Sequence, residues 1–459
     1  MMNIKPENMI FRISRYLFQI LFMGCLQLTA QEKWNLNDCI AFAIKNNLQI
    51  HNASLSEKEA QANLSQSKWN LLPGVGAGAD AGMYYGRSVD PHSNGIVNTS
   101  FFNNSYYLGA SVDLFRGFML QNQIKFQRYR KEAALNSRLG DTDDLAFAVM
   151  NAFYYVQYYE ELLKIANEQK DLSAMNVKKM QILVTTGLKS PTDLLEVKAN
   201  YEKEELFCIQ TSNNLDLTWI DLKKAMNLPP DKQISLDFTD QDSEDAGLLT
   251  TNIRELFVQH TGWSPVIQSF ESDWRASQKS ISIRRAGFFP SLQLKASYNT
   301  GFYQTNVDNN NQIIAFRDQI RNNSNQFVGL SMTIPVFNRN SVRFDVERSR
   351  IESEQAKTKL EIARKTLLYQ MEGNYNELTA SWKELLQAQR QLQADTLAYQ
   401  AAQKKFNQGM INVVELYTSK NRMANTTSQV LHSKLTYAMK RRILEFYQGK
   451  RFWEHGARA

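Results

Sequence analysis

Two carboxylates hold the positions in this chain best suited to chemistry. Asp193 and Glu415 each lie three residues beyond a side chain able to cap a helix, in Ser190-Pro191-Thr192-Asp193 and Asn412-Val413-Val414-Glu415. That spacing is a capping box, in which cap and acid each accept a backbone N–H that the first helical turn leaves without a partner. Pro191 falls at the first helical position, where a missing N–H costs nothing, and an acid near it sits at the positive end of the helix dipole. Gly187 and Gly409 precede the two motifs and suit the left-handed position that ends a helix.

No catalytic constellation accompanies them. His51, His92, His260, His432 and His455 are scattered, no serine occupies a nucleophile elbow, and no glycine-rich phosphate loop is present. Glycines 74, 76, 78, 82 and 86 fall in a strand pattern and its turn, where small barrel positions explain them better than phosphate binding. The sequence therefore points to no enzyme, no metal site and no cofactor. The formal net charge is +7, and its basic residues are spread among acids along helical stretches, which gives no footprint for nucleic acid.

The elements that position the two acids are set by a repeat. Met371, Leu378, Leu385, Leu392, Tyr399 and Phe406 recur every seven residues, and 222 positions earlier stand Val149, Val156, Leu163, Lys170, Val177 and Val184. A sevenfold apolar spacing predicts a long helix in a coiled coil, here twice in the same phase, with Lys170 interrupting the first stripe. Phe115 and Phe337, and Gly187 and Gly409, keep the same offset, and each Phe precedes its Gly by 72 residues. At ~1.5 Å per residue a helix filling that interval is about 100 Å long.

Each half repeats one order of elements. Residues 37–70 and 252–287 read as helical and stop before Pro73 and Pro290. Period-two strands follow. Val75, Ala77, Ala79, Ala81, Met83 and Tyr85, then Leu108, Ala110, Val112 and Leu114, belong to the first half. Leu292, Leu294, Ala296, Tyr298, Thr300 and Phe302, then Leu330, Met332, Ile334 and Val336, belong to the second. Loops 87–104 and 305–325 join the strand pairs, with aromatic residues near the strand ends, a pattern that matches transmembrane barrel strands. The long helix, the glycine turn and a shorter helix to about Asn227 or Gln448 complete each half. The expected division is 1–30 signal peptide, 31–227 first repeat, 228–250 linker, 251–449 second repeat and 450–459 tail.

Lys5, Arg12 and Arg15, the apolar run from Leu17 to Leu26 and Leu28-Thr29-Ala30 have the order of a secretory signal cleaved after Ala30. A lipid-modified Cys25 is the alternative. Cleavage leaves Cys39 and Cys208, too few for a disulfide framework. Beyond the signal no run of about 18 apolar residues occurs.

Across nearly the whole mature chain the sequence resembles the TolC-type outer-membrane efflux family. The resemblance is carried by the opening Trp34-Asn35-Leu36-Asn37-Asp38-Cys39-Ile40-Ala41-Phe42-Ala43-Ile44-Lys45-Asn46-Asn47, by Ile334-Pro335-Val336-Phe337-Asn338 and by Gly187-Leu188-Lys189-Ser190-Pro191-Thr192-Asp193-Leu194. The first half departs from the family pattern where Asp113 takes the place of Pro335.

The resemblance implies a mixed α+β, mostly helical, internally duplicated chain. Four transmembrane β-strands per chain enter a trimeric 12-strand barrel, and the long coiled-coil helices form a periplasmic α-barrel. Closure is also a physical demand: four strands leave two edges that lipid cannot hydrogen-bond. Two copies give eight strands, a barrel filled by its own side chains, whereas three leave a pore.

In function the resemblance implies a passive exit duct of the outer membrane, extending into the periplasm, in a tripartite efflux or secretion system. Its implied partners are two further copies, outer-membrane lipid, a periplasmic adaptor and an inner-membrane pump of unspecified type. Thr192, Asp193 and Glu415 match the family's polar periplasmic entrance gate, and Thr418 stands where some members have another acid. Gly187, Leu188 and Lys189, with Gly409, Met410 and Ile411, match the tips that meet the adaptor. A non-conducting structural or adhesive periplasmic coiled-coil protein is the alternative, and a stand-alone porin the third, which leaves the long helices without a purpose.

Overall fold

The computed structural model describes residues 33–90, 93–98, 100–238, 252–451 and 453. The expected signal peptide, Cys25, His92, His455, most of the linker and most of the tail lie outside these residues. In chain order the elements are β1 (Lys33–Trp34), α1 (Leu36–Asn46), α2 (Leu48–Trp69), β2 (Gly74–Tyr84), β3 (Arg87–Val89), β4 (Ile96–Asn98) and β5 (Phe101–Arg116). They continue with α3 (Met119–Thr185), α4 (Pro191–Met226), β6 (Ser235–Leu236), α5 (Ile253–Thr261) and α6 (Pro265–Arg285). The chain ends in β7 (Ser291–Tyr303), α7 (Phe316–Asn322), β8 (Asn325–Thr333), α8 (Ser341–Asn407) and α9 (Val413–Tyr447).

The long helices α3 and α8 each have 67 residues, and both ends keep the 222-residue offset. Their length follows from uninterrupted apolar periodicity with no internal proline. In α8 the heptad residues Met371, Leu378, Leu385 and Tyr399 are buried, as are Val149 and Val156 in α3. From Ala166 onward burial in α3 passes to the other heptad phase, at Ala166, Ser173 and Met180. Lys170 itself is only half-buried, because an ammonium without a close partner cannot give up its water.

Two compact units are built from interleaved segments, so they do not coincide with the sequence repeats. One takes the described parts of Met1–Leu48, Asp143–Ile253 and Glu372–Ala459; the other takes Gln49–Thr142 and Arg254–Met371. The first unit is helical apart from β1 and β6, which pair in parallel. The second holds an antiparallel sheet in the order β2-β5-β7-β8. Helices also pack in this unit, through close small residues: Ser277 Oγ lies 3.0 Å from Ser353 Oγ, and Ser349 Oγ 3.0 Å from Ser280 Oγ.

The register puts Val75, Ala77, Ala79, Leu108, Ala110, Val112, Leu294, Ala296, Val328 and Leu330 on one face of the sheet. Gly76, Gly78, Ser105, Ser111, Gln293, Lys295 and Ser297 share the other. On that polar face Tyr107 lies across Gly78 and Phe327 across Gly329, so aromatic rings fill space that the glycines leave. No helix among the described residues is long and apolar enough to cross a membrane.

Several local expectations are corrected. Residues 37–70 form two helices, because Asn47 turns extended (φ −70°, ψ 128°) and its Nδ2 donates to the Ala225 carbonyl at the end of α4 (3.1 Å). In return Asn227, left-handed after α4, donates from Nδ2 to Asn46 O (3.0 Å). The two asparagines thus cap each other's helices, which competes with continuing either. Residues 252–287 likewise split at 262–264, and α6 restarts at Pro265.

Leu114 leaves the apolar row because the register shifts between Asp113 and Phe115, so that Phe115 opposes Leu292. Such a bulge inserts one residue and turns the residues beyond it to the other face. Asp113 anchors the site, accepting from Gln293 Nε2 at 3.2 Å. Ile334 and Val336 fall outside β8, which ends at Thr333, two residues before a proline that cannot donate to a ladder.

The loops are also more structured than read. Residues 87–104 contain the β3–β4 ribbon and the start of β5, and 305–325 contain α7. Thr305 Oγ1 donates to Asp90 Oδ1 (2.6 Å), tying the loops together. Buried Gln319 accepts from Tyr303 N (2.9 Å) and donates to Ile314 O (2.8 Å).

Steric room on the sheet yields a direct test. A methyl at Gly301 would sit 2.6 Å from the Asn104 carbonyl oxygen, fixed backbone, whereas one at Gly109 meets nothing within 4 Å. Gly301→Ala should destabilise the folded protein by about 1–3 kcal/mol and Gly109→Ala should be near neutral. Thermal unfolding of both variants in detergent measures the contrast.

Candidate functional site

The two glycine turns lie in the helical unit and are built alike. Gly187 (φ +77°) and Gly409 (φ +72°) adopt the left-handed conformation expected of them. Leu188 N donates to Leu183 O (2.8 Å) and Met410 N to Lys405 O (2.9 Å), the six-to-one bond of a Schellman motif. The helices entering and leaving both turns share one apolar cluster, Met180, Val197, Val413 and Tyr417, flanked by Val177, Val184, Leu194 and Phe406. Lys189 Nζ lies 5.2 Å from the Phe406 ring centroid, and Lys179 Nζ donates to Asn407 Oδ1 at 2.9 Å. The turns therefore form one body.

Within that body the expected site residues divide. Asp193 completes its capping box: Ser190 N donates to Asp193 Oδ2 (3.2 Å), and Ser190 Oγ accepts from Thr192 N (3.1 Å). Glu415 does not. Asn412 Oδ1 accepts from Glu415 N (2.9 Å), but no bond returns from the Glu415 carboxylate, which is exposed and without a partner among the described residues. The expectation that both acids cap is thus corrected for Glu415, whose helix start is capped by Asn412 alone. Thr418 Oγ1 donates to Val414 O (2.8 Å) in its own helix.

Among the tip residues, Leu188 is 71% exposed and Met410 70%, in the company of the exposed Gly187 and Gly409. Lys189 is half-buried over Phe406, and Ile411 packs on the cluster of Tyr399, Ala402 and Leu416. Cys39 and Cys208 are buried and unpaired to each other. Burial pushes the Cys39 thiol up to about 12 and raises that of Cys208, which makes both unreactive.

One group of functional weight escaped the sequence reading. Lys420, only 1% exposed, places Nζ 2.7 Å from Ser173 Oγ, 2.9 Å from Glu204 Oε1 and 3.1 Å from Gln169 O. This layer joins α3, α4 and α9 immediately beyond the apolar cluster of the turns. Burial lowers the Lys420 pKa, and the Glu204 carboxylate opposes that shift. Glu204 Oε2 is buried without a hydrogen-bond partner. A heptad scan for apolar residues passes over such a layer because its members are polar. The signal available was that polar residues recur at the same repeat positions, Gln169 with Gln391 and Ser173 with Asp395.

The fold defines a class: a chain with four antiparallel strands bearing one apolar face, coupled to two helices of 67 residues that end in glycine turns. The comparisons agree with it. The model of the family described as "Outer membrane efflux protein" matches residues 40–228 and again 261–449, once for each half. The outer membrane protein TolC of Salmonella enteritidis is 20% identical over 432 residues, covering 92% of this chain and 83% of that protein. The proteases secretion protein PrtF of Dickeya chrysanthemi is 22% identical over 351 residues, covering 74% and 72%. The crystal structure of the outer membrane protein VceC of Vibrio cholerae superimposes with a TM-score of 0.77 at 14% identity, covering 91% of this chain and 96% of that one.

The chain belongs to the outer membrane efflux protein family. It is an outer-membrane export channel that extends into the periplasm, and not an enzyme.

The buried layer carries a prediction of its own. Lys420→Met strands the Glu204 carboxylate in the interior and should cost about 3–5 kcal/mol. Adding Glu204→Leu should recover most of that loss, since an ion pair replaced by apolar groups is often neutral. Denaturant unfolding of the single and double variants measures the recovery.

Proposed function

We propose that three copies of this chain close into one channel. Its helical turns form the periplasmic entrance, docked on an adaptor that links it to an inner-membrane pump. The observation that carries this reading is the four-stranded sheet, whose outer strands β2 and β8 have no partner along their free edges among the described residues. An edge in lipid leaves backbone groups without hydrogen bonds, so the sheet must be completed by further copies. Three copies give the smallest barrel with a water-filled pore. The duplicated halves, 31–227 and 251–449 joined by 228–250, are read as the quasi-equivalent units of the helical part.

At the entrance, Thr192, Asp193, Glu415 and Thr418 are proposed as the polar constriction. Glu415 leads, because its carboxylate is exposed and uncommitted, whereas Asp193 is partly held by the Ser190 amide. Six carboxylates around a narrow opening attract cations. Leu188 and Met410, exposed at the two turns, are proposed as the apolar contacts for the adaptor, with Gly187, Lys189, Gly409 and Ile411 shaping the turn.

Single-channel conductance in planar bilayers tests conduction itself. Glu415→Gln should weaken block by divalent cations from the periplasmic side more than Asp193→Asn does, and the double variant should weaken it most. Unchanged block in a folded trimer of the double variant would leave these residues as parts of the helix starts alone.

Loops 87–104 and 305–325 are proposed to face the cell exterior, since each joins two strands at the end opposite the chain's entry into α3 or α8. Cysteines at Asn94 and Asn310 should react with a membrane-impermeant maleimide on intact cells. The buried native thiols give a silent background. Labelling that appears only after the outer membrane is broken would reverse the topology.

A further inference from the structure

The Lys420 layer has a duplicate 222 residues away that lacks its lysine. In the first half, Gln169 and Ser173 of α3 and Glu204 of α4 receive Lys420 from α9 of the second half. The corresponding positions in the second half are Gln391 and Asp395 of α8 and Thr426 of α9. These also form a layer: Thr426 Oγ1 donates to Asp395 Oδ2 at 2.8 Å, and Gln391 Nε2 lies 3.3 Å from Thr426 Oγ1. Acid and hydroxyl have exchanged helices, so each layer keeps one of each.

The position equivalent to Lys420 is Lys198 on α4. Lys198 is exposed and makes no ion pair among the described residues. Its surroundings tell the same story. Leu195 and Ile209 are 66% and 53% exposed on α4, whereas their equivalents on α9, Tyr417 and Leu431, are 3% and 7% exposed. One face of α9 is thus seated within the chain while the same face of α4 is bare. Among the described residues the one cation paired with Asp395 is Arg422, at 3.5 Å, whose side chain is 56% exposed. The position equivalent to Arg422 is Asn200, which donates to Glu196 O in its own helix.

A chain of two repeats contains the step from first to second repeat once; the step from second back to first needs another copy. Repeated head-to-tail contacts of this kind close into a ring. We propose that Lys198 of one copy enters the Gln391, Asp395 and Thr426 layer of the adjacent copy and pairs with Asp395 across the subunit boundary, while Leu195 and Ile209 cover the adjoining apolar surface. Lys420 Nζ lies 2.7 Å from Ser173 Oγ, and Asp395 occupies the duplicate of Ser173. The equivalent approach therefore brings an ammonium to hydrogen-bond distance of a carboxylate with little access to water. The proposal rests on the reading of the protein as a closed ring of copies.

The test separates the two. Native mass spectrometry of the unmodified protein in detergent first reads the copy number, and a monomer there removes the ring itself. Two differently tagged chains are then co-expressed, one carrying Lys198→Cys and the other Asp395→Cys, and treated with a short bismaleimide whose spacer contains a disulfide, because two cysteines are shorter than the lysine and aspartate they replace. A reducible dimer bearing both tags is expected, and none when either variant is paired with the unmodified chain. Particles that contain both chains yet yield no such dimer would overturn the contact while leaving the ring intact.

Charge reversal covers the case in which the cysteine chains do not assemble. Lys198→Asp and Asp395→Lys should each lower the dissociation temperature of the oligomer, and the two together in one chain should restore most of the shift. A double variant no better than the singles would sink the pairing.

Discussion

A backbone amide or carbonyl without a partner inside lipid costs several kcal/mol, and the four-stranded sheet has two edges made of such groups. No rearrangement within the chain removes them, since closing so few strands on themselves would demand an impossible curvature. The need for further copies is therefore written into the sheet before any helix is considered. The apolar row of Val75, Leu108, Ala110, Leu294, Ala296 and Leu330 suits lipid, and the polar row suits water. The duplicated helices inherit the same arithmetic: whatever number of copies closes the barrel also sets how many of the glycine turns the assembly carries.

The helical unit solves a different problem. Heptad seams alone permit neighbouring helices to slide by a turn, because one leucine in a seam resembles another. A polar layer removes that freedom, since Lys420 finds its three oxygen partners only in one register. Such layers contribute little net stability and are best understood as devices for register and pairing. Their exchange of acid and hydroxyl between α3/α4 and α8/α9 puts the carboxylate on a different helix in each layer, which distinguishes the two steps around a ring that shape alone would treat as equal.

The turns combine rigidity with exposure. Their backbone is held by left-handed glycines and five-residue carbonyl bonds, and their helices share one apolar cluster, so the few exposed side chains sit on a firm base. Glu415 and Asp193 occupy matching positions but not matching roles. The Asp193 carboxylate accepts from the Ser190 amide, whereas that of Glu415 makes no such bond and stays exposed.

Much of this was legible in the chain itself. The apolar heptads located α3 and α8, Gly187 and Gly409 located their ends, and alternation located the four strands, because each signal depends on residues near one another in sequence. Asp193 and Glu415 were found by the spacing of a local cap. What the tertiary structure decided were the points at which distant segments compete with local preference. Asn47 breaks a helical pattern in order to cap α4, Asp113 holds a bulge that turns Leu114 out of its row, and Lys420, an unremarkable lysine in sequence, becomes the pin of three helices. Local periodicity reports which face of an element is apolar, but the partner that a buried polar group will meet is chosen only when the chain is packed.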